Sequence, residues 1–160
     1  MKDATITLIM FLSVPLWAAS RNELRLQAEY YVSAYSRHYD LPVEFVRALI
    51  EQESGWKACV VSRKGAVGLM QLMPATAQEL HVRNRCDLRQ NIAGGIRYLG
   101  YLRGKFGGDL RLVAAAYYAG ERPIERRGLT YSNIAVVAYV ESIRRRLERG
   151  SFGRKGVLPK

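Results

Sequence analysis

The chain has 160 residues, 49% of them hydrophobic, which predicts one domain with a real core. Its 14 Gly and 5 Pro exclude a fibrous or low-complexity chain. The 25 Lys and Arg outnumber the 14 Asp and Glu, and the net charge of +11 points to an anionic partner: nucleic acid, a membrane surface or an acidic polymer.

The first element narrows that choice. Lys2 precedes a mostly apolar run from Ala4 to Trp17, and Ala18, Ala19 and Ser20 follow. A charged start, an apolar stretch and small residues are the layout of a secretory signal peptide. We therefore expect residues 1–20 to be cleaved, ahead of two alternatives, an uncleaved anchor and an internal helix. The run is short for a membrane span, which needs roughly 20 apolar residues. Removing 1–20 deletes one Lys and one Asp, so the charge is unchanged. Export also bears on Cys59 and Cys86. Two cysteines in an exported chain form one disulfide, the alternative being two unrelated thiols. The bridge would close a loop of about 28 residues and stabilise by about 3–4 kcal/mol on the chain-entropy model.

Beyond residue 20 the periodicity is helical, and strand-like alternation is nearly absent. From Asn22 to His38, Leu24, Ala28, Tyr31, Val32 and Tyr35 recur at helical spacing. Pro42 suits the first turn of a second helix, which runs to Glu53 or Ser54. Residues 55–70 hold three glycines and read as a loop. Pro74 opens a short helix through Leu80. A longer one spans Gln90 to Phe106 and is closed by Gly107-Gly108. Asp109 is an N-cap candidate for Leu110–Ala119, and Gly120 stops that helix. Residues 121–132 read as a basic loop containing Pro123. A last helix starts near Asn133 and ends at Arg149 before Gly150. The expected organisation is a signal peptide at 1–20, an all-α domain of six or seven helices at 21–150, and a basic disordered tail at 151–160.

The helix from Pro42 to Glu53 carries the chemistry. At 100° per residue, Val43, Phe45, Val46, Leu49 and Ile50 share one broad apolar face. Glu53 follows Val46 by seven, Leu49 by four and Ile50 by three, so it falls near the centre of that face. Glu51 points elsewhere, with Arg47 as an expected i,i+4 surface partner. A carboxyl held against apolar walls has a raised pKa, because desolvation disfavours its charged form. That is what a general acid needs near neutrality.

Downstream of Glu53-Ser54 come Gly68-Leu69-Met70-Gln71, then Asn91-Ile92 with Gly95 and Tyr98-Leu99, then Ala116-Tyr117-Tyr118-Ala119-Gly120, then Tyr139-Val140. In this order and spacing, over roughly residues 40–145, the chain resembles the soluble lytic transglycosylase (SLT) family. The resemblance implies a lysozyme-like fold whose catalytic helix ends at a cleft. It implies Glu53 as the catalytic residue. It implies substrate contacts from Ser54, Gly68, Leu69, Met70, Gln71, Asn91, Tyr98, Tyr117, Tyr118 and Tyr139. Tyr117 or Tyr139 is expected to hydrogen-bond near Glu53. Met70 has an adaptable apolar surface suited to a sugar face, and Gln71 an amide that both donates and accepts. Two departures stand out: Tyr118 replaces the usual Asn, and Ala135-Val136 stand where Glu-Thr is common.

Glycosidases usually need two carboxylates. After Glu53 the nearest acids are Glu79 and Asp87, so a second is not evident. The resemblance supplies a route with one: Glu53 as acid and then base in peptidoglycan cleavage, with a 1,6-anhydro product. The competing readings are a goose-lysozyme-type hydrolase in which Asp87 or another acid positions water, and a peptidoglycan-binding assembly module with a weakened site. Small members of the family imply conjugation or secretion machinery as a partner and the periplasm as location. Neither cofactor nor metal is expected, and the chain is expected to be monomeric. No recognition helix or zinc spacing is present, so nucleic acid is not an expected partner.

Overall fold

A computed structural model describes residues 16–154. The apolar start of the signal-peptide expectation, 1–15, and the end of the tail, 155–160, lie outside the described residues. The elements in order are α1 (Leu16–His38), α2 (Val43–Ser54), α3 (Pro74–Glu79), α4 (Leu88–Lys105), α5 (Leu110–Ala119), α6 (Glu121–Arg127), a 3-10 turn (Gly128–Thr130) and α7 (Ile134–Arg154). The fold is all-α. Only two isolated β-bridges, Val61 to Val67 and Val67 to Leu72, occur among the described residues.

Helix ends follow local chemistry. Asp87 accepts the Gln90 amide at 2.8 Å and starts α4. Asp109 accepts the Arg111 amide at 2.9 Å and starts α5. Asn133 accepts the Ala135 amide at 2.9 Å and starts α7. These side chains satisfy amides that have no partner inside the helix. Gly55, at φ 56°, closes α2 in the left-handed conformation.

The core gathers around α5, which packs on α4, α6 and α7, while α2 lies between α1 and α7. Val113 and Ala114–Ala116 are buried, and their small side chains let neighbouring helices approach α5 closely. Phe45, Val46, Leu49 and Ile50 of α2 are at most 1% exposed. Burying each such side chain contributes about 1.5–3 kcal/mol. The apolar face read from the sequence is therefore the face that fixes α2 in the core.

Three sequence expectations are corrected. Residues 121–127 form α6 rather than a loop. Pro123 is the third residue of that helix, where its missing N–H has no intrahelical partner to lose. Arg47 pairs with Glu29 of α1 at 2.8 Å and with Glu44 at 2.7 Å, not with Glu51. Helix α7 continues through Gly150 to Arg154. Helix α1 begins at Leu16, inside the segment expected as a signal peptide, and bears neither way on its cleavage.

Candidate active site

Glu53 sits in the last turn of α2, half-buried, while Glu51 is exposed. The helix phase thus separates the two carboxylates as expected. Burial pushes the Glu53 pKa up to about 7, and a hydrogen bond from Tyr139 opposes that rise. Near neutral pH the group is therefore available in both forms, as an acid/base catalyst requires. Burial and Tyr139 are the causes of the shift; no second carboxylate contributes.

Tyr139 reaches Glu53 from α7, donating its hydroxyl to Glu53 Oε1. It is 6% exposed, and burial, then the Glu53 charge, raise its own pKa well above the usual phenol range. It stays a donor throughout the working pH range. The neighbouring Ser142 donates to Gln52 Oε1 at 2.6 Å, a second tie between α7 and α2. Tyr117 makes a different bond. Its hydroxyl donates to the Met70 carbonyl at 2.7 Å, and burial, then the charge of nearby Glu53, raise its pKa.

The Gly68–Gln71 segment is held by a dense set of bonds. Asn91, fully buried, accepts the Met70 amide at 2.8 Å and donates to the carbonyls of Val67 at 2.9 Å and Arg85 at 2.8 Å. Gly68 has φ +87°, and a Cβ there would lie 2.3 Å from Asn91 Nδ2, so a side chain is excluded. Gln71, at φ 49°, donates from Nε2 to Val60 O at 3.0 Å and Gly68 O at 2.9 Å. Two bonds hold a backbone conformation that costs of order 1 kcal/mol. Arg85 adds bonds to Gly65 O at 2.7 Å and Leu72 O at 3.1 Å. Cys59 and Cys86 form a disulfide with Cα atoms 4.8 Å apart, joining this loop to the segment before α4.

The expected substrate contacts divide accordingly. Asn91 spends its amide on the loop and holds it from beneath. Leu69 and Met70 are 1% and 0% exposed, so the Met70 side chain packs in the core against Gly95 rather than facing a ligand. Ser54 is buried and its hydroxyl donates back to Ile50 O at 3.2 Å. Tyr98, Tyr117 and Gln71 are half-buried, and Tyr118 is 47% exposed. The Tyr98 ring lies 5.6 Å from that of Tyr117 and 6.3 Å from that of Tyr101. A hollow of about 740 Å³ opens beside Tyr98 and Tyr101, with Arg97 and Arg122 on its wall. Tyr101 was not singled out from sequence, although it shares a helix face with Tyr98, three residues earlier. Arg85 left no sequence signal, since its acceptors lie 13 and 20 residues away.

Residues 30–135 match the Transglycosylase SLT domain family. The chain belongs to that family. The SLT chain is 39% identical over 89 residues to a transglycosylase of Enterobacteria phage PRD1, covering 56% of this chain and 33% of that one. It is 34% identical over 120 residues to the soluble lytic murein transglycosylase of Escherichia coli K12, covering 68% of this chain and 19% of that one. It therefore spans a third or less of the length of these relatives. Its fold resembles the crystal structure of the 70 kDa soluble lytic transglycosylase of E. coli, with TM-score 0.61 and 27% identity over 73% of this chain and 23% of that one.

Proposed function

We propose that this SLT chain is a peptidoglycan lytic transglycosylase in which Glu53 is the single acid and then base. The observation that carries the reading is the Glu53 carboxyl at the end of α2. It is half-buried, has its pKa raised to about 7, and is held by Tyr139 without a carboxylate partner. The relatives named as lytic murein transglycosylases supply the substrate class.

Protonated Glu53 donates to the glycosidic oxygen between N-acetylmuramic acid and N-acetylglucosamine as the bond from C1 to that oxygen breaks. The muramic N-acetyl oxygen stabilises the cationic C1. Glu53, now a carboxylate, takes the proton from the C6 hydroxyl, and O6 closes on C1. The product is a 1,6-anhydro sugar, the glutamate is reprotonated and water is not consumed. Tyr139 stabilises the carboxylate form between the two steps.

The hydrolase reading needs a second acid to position water. Asp87, the candidate for that role, has Oδ1 engaged in capping α4. Against a decayed site stands the intact bond from Tyr139 to Glu53 beside Tyr118. Export to the periplasm is part of the same proposal, since the substrate lies there; the relatives include proteins named membrane-bound lytic murein transglycosylases. No described helix is long and apolar enough to cross a membrane. Mass analysis of digested glycan strands tests the reaction: anhydro ends support the lyase, and reducing ends in their place show a hydrolase.

A further inference from the structure

We propose that Tyr118 is a positioning residue that holds the Tyr139 ring, and through it the Glu53 carboxyl, in place. The proposal rests on the reading of Glu53 as the acid/base. Its ground is a contact across two helices. The rings of Tyr118, on α5, and Tyr139, on α7, are stacked with centroids 4.6 Å apart and planes at 23°. The Tyr139 hydroxyl is the group that bonds Glu53.

A phenol's oxygen lies on the axis of the outer side-chain torsion, so its position is set by the inner torsion, within whose staggered well the ring can still swing unless a neighbour restricts it. A ring lying flat on Tyr139 supplies that restriction. Asn at 118, the residue its family resemblance leads one to expect, has no ring and cannot. Tyr118 is 47% exposed, so burying its own surface does not account for its placement. Consecutive residues on α5 project about 100° apart. Tyr117 accordingly reaches the Met70 carbonyl of the loop, while Tyr118 lies on the α7 ring. The pair thus fixes both walls of the site from one helix.

The titratable groups facing Glu53 are Tyr139 from α7 and Tyr117 from α5. Those facing Tyr139 are Glu53, Tyr117 and Tyr118. Tyr139 is the neighbour that lowers the Glu53 pKa, so a loosened Tyr139 lets it rise.

The test is the Glu53 pKa, read by carboxyl NMR titration of the substrate-free full chain, alongside kcat and KM. In Tyr118→Ala and Tyr118→Asn the pKa should rise, in the direction set by Tyr139→Phe but by less. Their kcat should fall roughly fivefold, the scale of one aromatic stack, with KM within about twofold. Tyr118→Phe, which keeps the ring, should keep the wild-type Glu53 pKa. Adding Tyr118→Ala to Tyr139→Phe should move the pKa no further. An unmoved pKa in Tyr118→Ala and Tyr118→Asn, an additive double variant, or a change confined to KM would each overturn the proposal. The titration needs no turnover: an active Glu53→Gln would remove Glu53 as catalyst yet leave the stack's effect on its pKa standing or falling by itself.

Discussion

Tyr139 donates its hydroxyl to Glu53 across the interface of α7 and α2, joining residues 86 positions apart in sequence. The bond favours the carboxylate, while burial favours the acid. The result is a glutamate poised between two forms by two opposing neighbours.

Tyr139→Phe removes one of those neighbours. The Glu53 pKa should then rise above about 7, because only the burial contribution remains. Since Glu53 must start protonated, wild-type activity should fall as pH rises through about 7. In Tyr139→Phe that alkaline limb should move to higher pH, and kcat should drop by about tenfold or more, as loss of a bond to a charged group implies. A pH profile of kcat for both proteins checks this.

Glu53 also links stability to pH. Its folded pKa of about 7 exceeds the ordinary glutamate value of 4.5. The folded protein thus holds the proton more tightly than the unfolded chain. The stabilising contribution is fully present below about 4.5 and is lost progressively as pH rises through about 7. Glu53→Gln removes this dependence. Thermal melts of the two proteins should diverge between pH 5 and pH 8, with the variant relatively more stable at the higher pH.

The disulfide anchors the loop that carries Gly68–Gln71. Replacing Cys59 and Cys86 together by Ser should lower unfolding free energy by about 3 kcal/mol on the chain-entropy model. Denaturant titration of variant and wild type measures the loss directly, and reduction of the wild type should reproduce it.

Asn91→Ala should cost more than a surface change, about 2–4 kcal/mol, because it strips partners from a buried amide, a buried carbonyl and a partly buried one. Gly68→Ala should damage the same loop through its φ of +87° and the contact with Asn91. Both should reduce glycan cleavage without touching Glu53. Amide hydrogen exchange across residues 60–72 should rise in each.

Much of the fold could be read locally. Asp109 announced its helix because a capping side chain acts within three residues. Glu53 could be separated from Glu51 because helix phase is a local property. Other features depended on residues far along the chain. Arg47 turns to Glu29 on another helix, which no i,i+4 rule foresees. Asn91 resembles a family contact residue, yet its bonds to Val67, Met70 and Arg85 are visible only once the loop lies on α4. Met70 likewise disappears into the core because Gly95 leaves room for its sulfur. Pro123 misled in the opposite sense, since a proline in the first turn permits a helix that it would break later.

The most direct measurement is mass analysis of the muropeptides released from purified peptidoglycan by wild type and by Glu53→Gln, with circular dichroism confirming that both are folded. The account predicts 1,6-anhydro products from wild type and a loss of at least about a hundredfold in the variant, the scale of removing an acid/base group. Equal release of anhydro product by the two proteins would contradict it.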